Sequence, residues 1–224
     1  MCATAMQAQG AKSMLADLHF TARVQVADDP RLIFPLQLMG FGRLTADGMR
    51  ESVEGQFGLV PEWVSAKQGG AKFGRNCYNA RSESVFEKPS FKKAILTQRA
   101  VVPVEAFYEF PDKESPLRHR LRVERDDKRA FLLGAIWAWN AEFKVCSVSV
   151  ITTEPMDLLA PWHSRSPLIL RDDQVETWLS PSLKQPEKIQ AFFKPYDGDG
   201  LRIEREAWAG PRQASLPFDE GLPE

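Results

Sequence analysis

Cysteine is scarce in this chain. Only Cys2, Cys77 and Cys146 are present, an odd number with no CxxC pair, and the three histidines lie near none of them. That spacing speaks against a disulfide framework and a structural metal, and it fits a reducing cytosol. Long apolar runs are missing as well. The longest nearly unbroken one, Phe131 to Trp139, is about half of the roughly 20 residues a membrane-crossing helix needs. The start of the chain has no basic segment followed by an apolar one, so a cytoplasmic protein without membrane contact is expected. Neither sign of charge dominates: 29 Lys plus Arg stand against 30 Asp plus Glu, a net charge of −1. No global basic field draws phosphates to the surface, and an anionic partner must be met by a local patch. What remains is 224 residues of ordinary globular composition, 43% hydrophobic and 26% charged, which excludes disordered, collagen-like and coiled-coil chains.

Periodicity predicts many short strands. The runs are Phe20–Val26, Leu32–Met39, Val53–Val60, Ala100–Val104, Phe107–Phe110, Leu117–Glu124, Ala130–Trp139 and Val145–Thr152. Helices are expected at Ala11–Leu18, Ser90–Thr97, Met156–Leu159, Asp172–Leu179 and Pro186–Phe193, the last with proline suited to a first helical turn. Strand runs broken by single helices predict an α+β fold with a mainly antiparallel, barrel-like sheet flanked by a few short helices. Residues 2–210 form one expected domain, and residues 211–224, acidic and proline-containing towards the end, a loose tail.

Charge is uneven along the chain. Residues 71–100 hold Lys72, Arg75, Arg81, Lys88, Lys92, Lys93 and Arg99 against Glu83 and Glu87. Lys88, Lys92 and Lys93 read as a solvated helix face. Arg75 and Arg81 flank an uncharged stretch with aromatics nearby, a pattern that serves phosphate contact as readily as chance clustering.

Cys2 carries the most distinctive chemistry. Initiator methionine is normally removed before a small residue, which would leave an N-terminal cysteine with a free α-amine beside its thiol. The amine titrates near about 8 and the thiol near about 8.5, so both reactive forms are populated at cellular pH. Such a 1,2-aminothiol condenses with an aldehyde to an imine and then closes to a thiazolidine. Position alone is equally met by a frayed terminus.

Four further segments accompany it: Phe57-Gly58-Leu59-Val60-Pro61-Glu62-Trp63; Asn79-Ala80-Arg81-Ser82-Glu83; Val102-Pro103-Val104-Glu105-Ala106-Phe107-Tyr108-Glu109-Phe110; and Thr152-Thr153 followed by Ala160-Pro161-Trp162-His163-Ser164-Arg165-Ser166-Pro167. In this order they resemble the SOS response-associated peptidase (SRAP) family, whose segments read WGLIPxW, NARSE, (V/I)PADGFYEW and TT…(I/V)HxRMP after Met-Cys-Gly-Arg-Phe. The resemblance implies an SRAP-like fold and a protein that binds abasic sites in single-stranded DNA and crosslinks Cys2 to the ring-opened sugar. It implies Cys2 as nucleophile, Asn79 holding nucleophile and sugar, and Glu109 and His163 as acid/base groups. Arg81 and Arg165 would contact phosphates and Trp63 would meet bases; Arg75 joins them from the basic stretch. No cofactor, metal or membrane is implied, and a monomer is expected.

The residue types suit that chemistry. Opening a deoxyribose and dehydrating a carbinolamine both move protons, work for a carboxyl and an imidazole. The aromatic neighbours of Glu109 would desolvate its carboxyl. Blander readings remain open at each position: Glu109 as an edge-strand charge, His163 as a core imidazole, Arg81 paired with Glu83 or Glu109, Asn79 capping a turn. Ala3-Thr4-Ala5 replaces Gly-Arg-Phe, so the family's arginine beside the nucleophile is missing. Two other functions use the same parts: a thiol autopeptidase or N-terminal nucleophile hydrolase, and a module that binds single strands without covalent attachment.

Overall fold

The strand runs alternate large apolar residues with smaller or polar ones, and the fold uses this alternation to fill a closed barrel. The computed structural model describes residues 4–23, 30–111 and 119–207; Cys2 and the expected tail at 211–224 lie outside them. In chain order the strands are β1 (Thr4–Gln7), β2 (Thr21–Ala22), β3 (Arg31–Ile33), β4 (Leu38–Leu44), β5 (Arg50–Phe57), β6 (Asn79–Arg81), β7 (Arg99–Val104), β8 (Ala106–Glu109), β9 (His119–Arg125), β10 (Phe131–Asn140), β11 (Val145–Thr153), β12 (Ser166–Pro167), β13 (Ile169–Leu170) and β14 (Leu201–Ala207). The helices are α1 (Gln9–Asp17), α2 (Lys92–Thr97), α3 (Val175–Leu179) and α4 (Pro186–Gln190).

Strands β4, β5, β11, β10 and β7 pair in a ring. Four junctions are antiparallel, and the parallel β5–β11 junction, with Val148 opposite Phe57, closes it. Closure removes exposed strand edges. Phe41, Val53, Phe57, Val102, Leu133 and Val150 fill the interior. A second sheet, ordered β14-β9-β8-β1-β3, contributes its inner face to the same core through Ala5, Phe107, Leu121 and Val123. The α+β, barrel-centred architecture expected from the strand pattern is the one observed.

Strand β1 is an interior strand of that second sheet, between β8 and the edge strand β3. Gln7 fixes it to the barrel. Its buried amide donates to Gly40 O at 2.7 Å and Pro103 O at 2.8 Å and accepts from Gly40 N at 2.8 Å.

Arg99, counted in the basic stretch, is an interior residue. Its guanidinium donates to Ile95 O and Leu96 O at the end of α2 and to Trp178 O and Ser180 O at the end of α3, satisfying carbonyls that helix ends leave open. Burial lowers its pKa to about 10, so it stays cationic at neutral pH but offers nothing to a surface patch.

Two expected elements differ. Leu32–Met39 is two strands in different sheets, because Pro35 lacks an N–H and the chain turns there, Leu36 adopting a φ of 73°. Met156–Leu159 is not a helix: Leu159 N and Ala160 N both bond to Met156 O at 2.9 Å, and Pro161 then supplies no donor to extend the turn. The short strands β1, β6, β12 and β13 were not expected, nor was the longer β14. Its outer residues Arg202, Glu204 and Glu206 alternate with the inward Leu201 and Ile203, and the charges hid the strand.

Those outer charges form a ladder with β9. Glu124, its side chain only 2% exposed, meets Arg122, Lys128 and Arg202, while Arg120 pairs with Glu206. Burial works against the charge of Glu124, but the three cations outweigh it and bring its pKa from 4.5 to about 2. The stabilisation is therefore complete above pH 4.5 and is lost as pH falls toward 2. Melting temperature is expected to drop over that interval. Glu124→Gln should melt lower at pH 7 and show a shallower drop; an unchanged acid slope would remove Glu124 from the account.

Candidate active site

Two buried ionisable groups meet where the second sheet covers the barrel. Glu109 ends β8, and its alternation places it on the inner face with Phe107. Its side chain is 1% exposed, so it is no edge-strand charge. His163, 5% exposed, faces it with Nε2 3.5 Å from Oε2. Taking both groups out of water is costly, and their contact offsets part of that cost.

His163 is aimed by its own loop. Its main-chain N–H bonds to Leu159 O at 2.9 Å. Nδ1 lies 2.8 Å from Arg165 O and 3.1 Å from Arg165 N, contacts that leave Nε2 turned toward Glu109. The loop is clamped at its base, Met156 N donating to Ser166 Oγ at 2.8 Å. Arg165 holds it from the other side. Its two terminal nitrogens donate to the two Glu83 oxygens at 2.9 Å, and one also donates to Thr152 O at 2.7 Å. The pairing with Glu83 that is the blander reading of Arg81 is thus made by Arg165, as a fork of guanidinium on carboxylate. Burial works against the Glu83 charge, but its own main-chain N–H and Arg165 hold the carboxyl below its usual pKa.

Asn79 and Arg81 sit on β6, which runs parallel to β11 with Asn79 opposite Val150 and Arg81 opposite Thr152. They share one side of the strand; Asn79 is buried and Arg81 is exposed. Since β12, directly after Arg165, pairs with Thr152 and Thr153, the end of β11 gathers Arg81, Arg165 and the His163 loop. Arg81 makes no ion pair among the described residues.

Trp63 and Arg75 belong to a second group nearer the start of β11. The loop after β5 crosses that strand through Gly58 N to Val148 O at 2.8 Å and Val60 N to Ser147 Oγ at 2.9 Å. Gly58 has a φ of 129°, and a Cβ there would fall 2.3 Å from Gly74 O, so no side chain fits. Trp63 is 47% exposed and packs edge-on against Phe73 at 5.5 Å. Arg75 is exposed in the short helix Gly70–Asn76.

The sequence reading missed the residues that hold these groups. Asn140, fully buried, donates to Pro61 O at 2.8 Å and Val64 O at 2.9 Å and accepts from Phe143 N, fixing the turn under Trp63. Glu83, Thr152 and Gln7 act similarly for the His163 loop and β1. No short-range signal marks Asn140 or Gln7, whose partners lie far away in sequence; Glu83 and Thr152 lie inside the motif segments but carry no site role in that reading.

Two further features bear on chemistry. Burial pushes the thiols of Cys77 and Cys146 above the ordinary cysteine value, so neither is a ready thiolate. A cavity of about 800 Å³ opens between α1, the β9–β10 turn and Tyr196, but none of the candidate residues lines it. No group of three or more His, Cys, Asp or Glu among the described residues is placed to hold a metal, and no helix there is long and apolar enough to cross a membrane.

A family model described as SOS response associated peptidase (SRAP) matches residues 1–205. Abasic site processing protein YoaM from Bacillus subtilis is 29% identical over 149 residues, covering 65% of this chain and 64% of the relative. Abasic site processing protein HMCES from Rattus norvegicus is 26% identical over 214 residues, covering 82% of this chain and 54% of the relative. The chain thus spans somewhat less than two thirds of these curated relatives. A crystal structure of a Bacteroides thetaiotaomicron protein superposes with a TM-score of 0.78 at 22% identity, over 92% of this chain and 91% of that one, a likeness of fold.

The hydrogen bonds around the two aromatic loops differ in value. Asn140→Ala strands two buried carbonyls and should cost about 2 kcal/mol. Glu83→Gln removes a half-exposed ion pair and should cost under about 1 kcal/mol. Urea denaturation checks the order; equal losses would mean that the Trp63 turn is not held by Asn140.

Proposed function

This chain belongs to the SOS response associated peptidase (SRAP) family, and we propose on that premise that it processes abasic sites in single-stranded DNA by joining Cys2 to the lesion aldehyde. The observation that carries the proposal is the buried Glu109–His163 contact at 3.5 Å, set beside the strand that leads back to Cys2. Thr4 pairs with Tyr108, the neighbour of Glu109, and two residues of chain span at most about 7 Å. Chain length alone would allow Cys2 to reach the pair.

The proton traffic suits such a pair. Opening the sugar takes a proton from the C1′ hydroxyl and gives one to the ring oxygen. Once Met1 is removed, the α-amine of Cys2 adds to the aldehyde carbon; the carbinolamine hydroxyl accepts a proton and leaves as water while the nitrogen gives a proton up, forming the imine. The thiol then adds to the imine carbon while the nitrogen takes up the proton, closing the thiazolidine with one water released overall. A carboxyl and an imidazole in contact can give and take these protons within one dry site. Asn79 would orient the sugar. Arg81, exposed and unpaired with any described acid, would meet a phosphate; Arg75 and Trp63 would follow the strand onward. Arg165 serves the site as well by holding the His163 loop, its guanidinium being engaged by Glu83 and Thr152. Relatives named for abasic site processing support the reading, as do the raised thiols of the two interior cysteines, which leave Cys2 as nucleophile.

Incubation with a single-stranded oligonucleotide carrying one abasic site should give a shifted band on a denaturing gel. Cys2→Ala should abolish it. Glu109→Gln should slow its appearance by about 100-fold or more while non-covalent affinity stays within about twofold. No band with the wild-type protein would sink the reading, and equal loss of affinity and rate would make Glu109 structural.

A further inference from the structure

The residue before His163 is an exposed tryptophan. Trp162 is 37% exposed, belongs to neither hydrophobic cluster and stands where the family segment carries Ile or Val. Its N–H and that of His163 bond to the same Leu159 carbonyl, each at 2.9 Å, so one tight turn fixes both side chains. They diverge in environment, the imidazole entering the core and the indole remaining at the surface.

The second sheet receives the two side chains on a single cross-strand row. Glu109 is opposite Leu121 on β9, and Leu121 is opposite Arg205 on β14. Directly paired residues share a face, so Glu109, Leu121 and Arg205 line up over two strand spacings, about 10 Å. His163 contacts the Glu109 end of this row. At the other end the Arg205 guanidinium carbon lies 5.9 Å from the Trp162 ring centroid, within cation–π range. A reactive pair and an aromatic–cation pair thus sit side by side.

We propose that Trp162, flanked by Arg205, is the stacking platform for the nucleobase that adjoins the abasic sugar. The proposal rests on the abasic-site reading above. A lesion sugar has no base of its own to grip, so the site must be oriented by its neighbours, and an indole stacks any base regardless of sequence. Arg205 supplies positive charge next to that base, where the backbone phosphate passes. Among the described residues the indole belongs to neither hydrophobic cluster, and the ring contact the structure records for it is the one with Arg205.

The test uses a fluorescent single strand whose central nucleotide is a tetrahydrofuran abasic analogue, which has no aldehyde and forms no covalent bond, so affinity is read without chemistry. Trp162→Ala and Trp162→Ile should weaken binding by about fivefold to a hundredfold, and Trp162→Phe should recover most of it. On a second strand, whose bases on both sides of the analogue are replaced by base-free spacers, wild type should bind more weakly and the Trp162 variants should lose no more. Wild-type affinity in both Trp162→Ala and Trp162→Ile overturns the proposal. A loss of equal size on the two strands also overturns it, since the indole would then not be reading a base. Failure of the crosslinking reading shows separately, as an absent covalent band with the aldehyde-bearing strand, while this comparison of affinities retains its outcome.

Discussion

Three hydrogen bonds from one amide hold the chain's first strand in place. Gln7 joins β1 to Gly40 on β4 and Pro103 on β7, and everything the proposed chemistry needs is referenced to that strand. β1 lies against β8, β8 ends in Glu109, and Glu109 meets His163. Were β1 free to shift by one residue, every side chain on it would exchange faces. A glutamine is suited to the task because it both donates and accepts, and the main-chain groups it meets are buried and would be costly to leave open.

The same economy governs the His163 loop. A lone buried imidazole or carboxyl would lose much hydration for nothing, and each group here is held by a short chain of contacts: Glu109 to His163, His163 to the carbonyl of Arg165, Arg165 to Glu83 and Thr152. The chain runs outward from core to surface and ends in a half-exposed ion pair. Burial is thus greatest at the acid/base pair and falls toward the solvent, so the supports of the pair are themselves anchored in the core.

Much of this was legible in the sequence, for identifiable reasons. Barrel strands such as Ala100–Val104 and Val145–Thr152 were readable because a buried β-run is dense in Val, Ala and Ile. Glu109 and His163 stood out as polar residues among Phe, Tyr and Trp, whereas their contact with each other at 3.5 Å is visible only in the fold. Illegible features were those whose cause is distant. The strand Leu201–Ala207 reads as a charged coil until Arg120, Arg122 and Glu124 are known to face it; Arg99 reads as surface charge until two helix ends converge on it. Glu83 could be paired with Arg81 by proximity in sequence, whereas the loop that delivers Arg165 to it comes from 82 residues away.

The position of β1 has a consequence in time as well as space. Its partner β8 is synthesised about a hundred residues after it, Thr4 pairing with Tyr108, and only the short β3 can join it earlier. At a ribosome adding about 5–20 residues each second, the start of the chain therefore spends several seconds or more with no sheet to enter. During that interval enzymes that trim nascent chains can reach it. Once β8 has formed and Gln7 has found Gly40 and Pro103, the strand behind it is locked, and the window for processing has narrowed from the whole open chain to whatever the finished domain leaves outside.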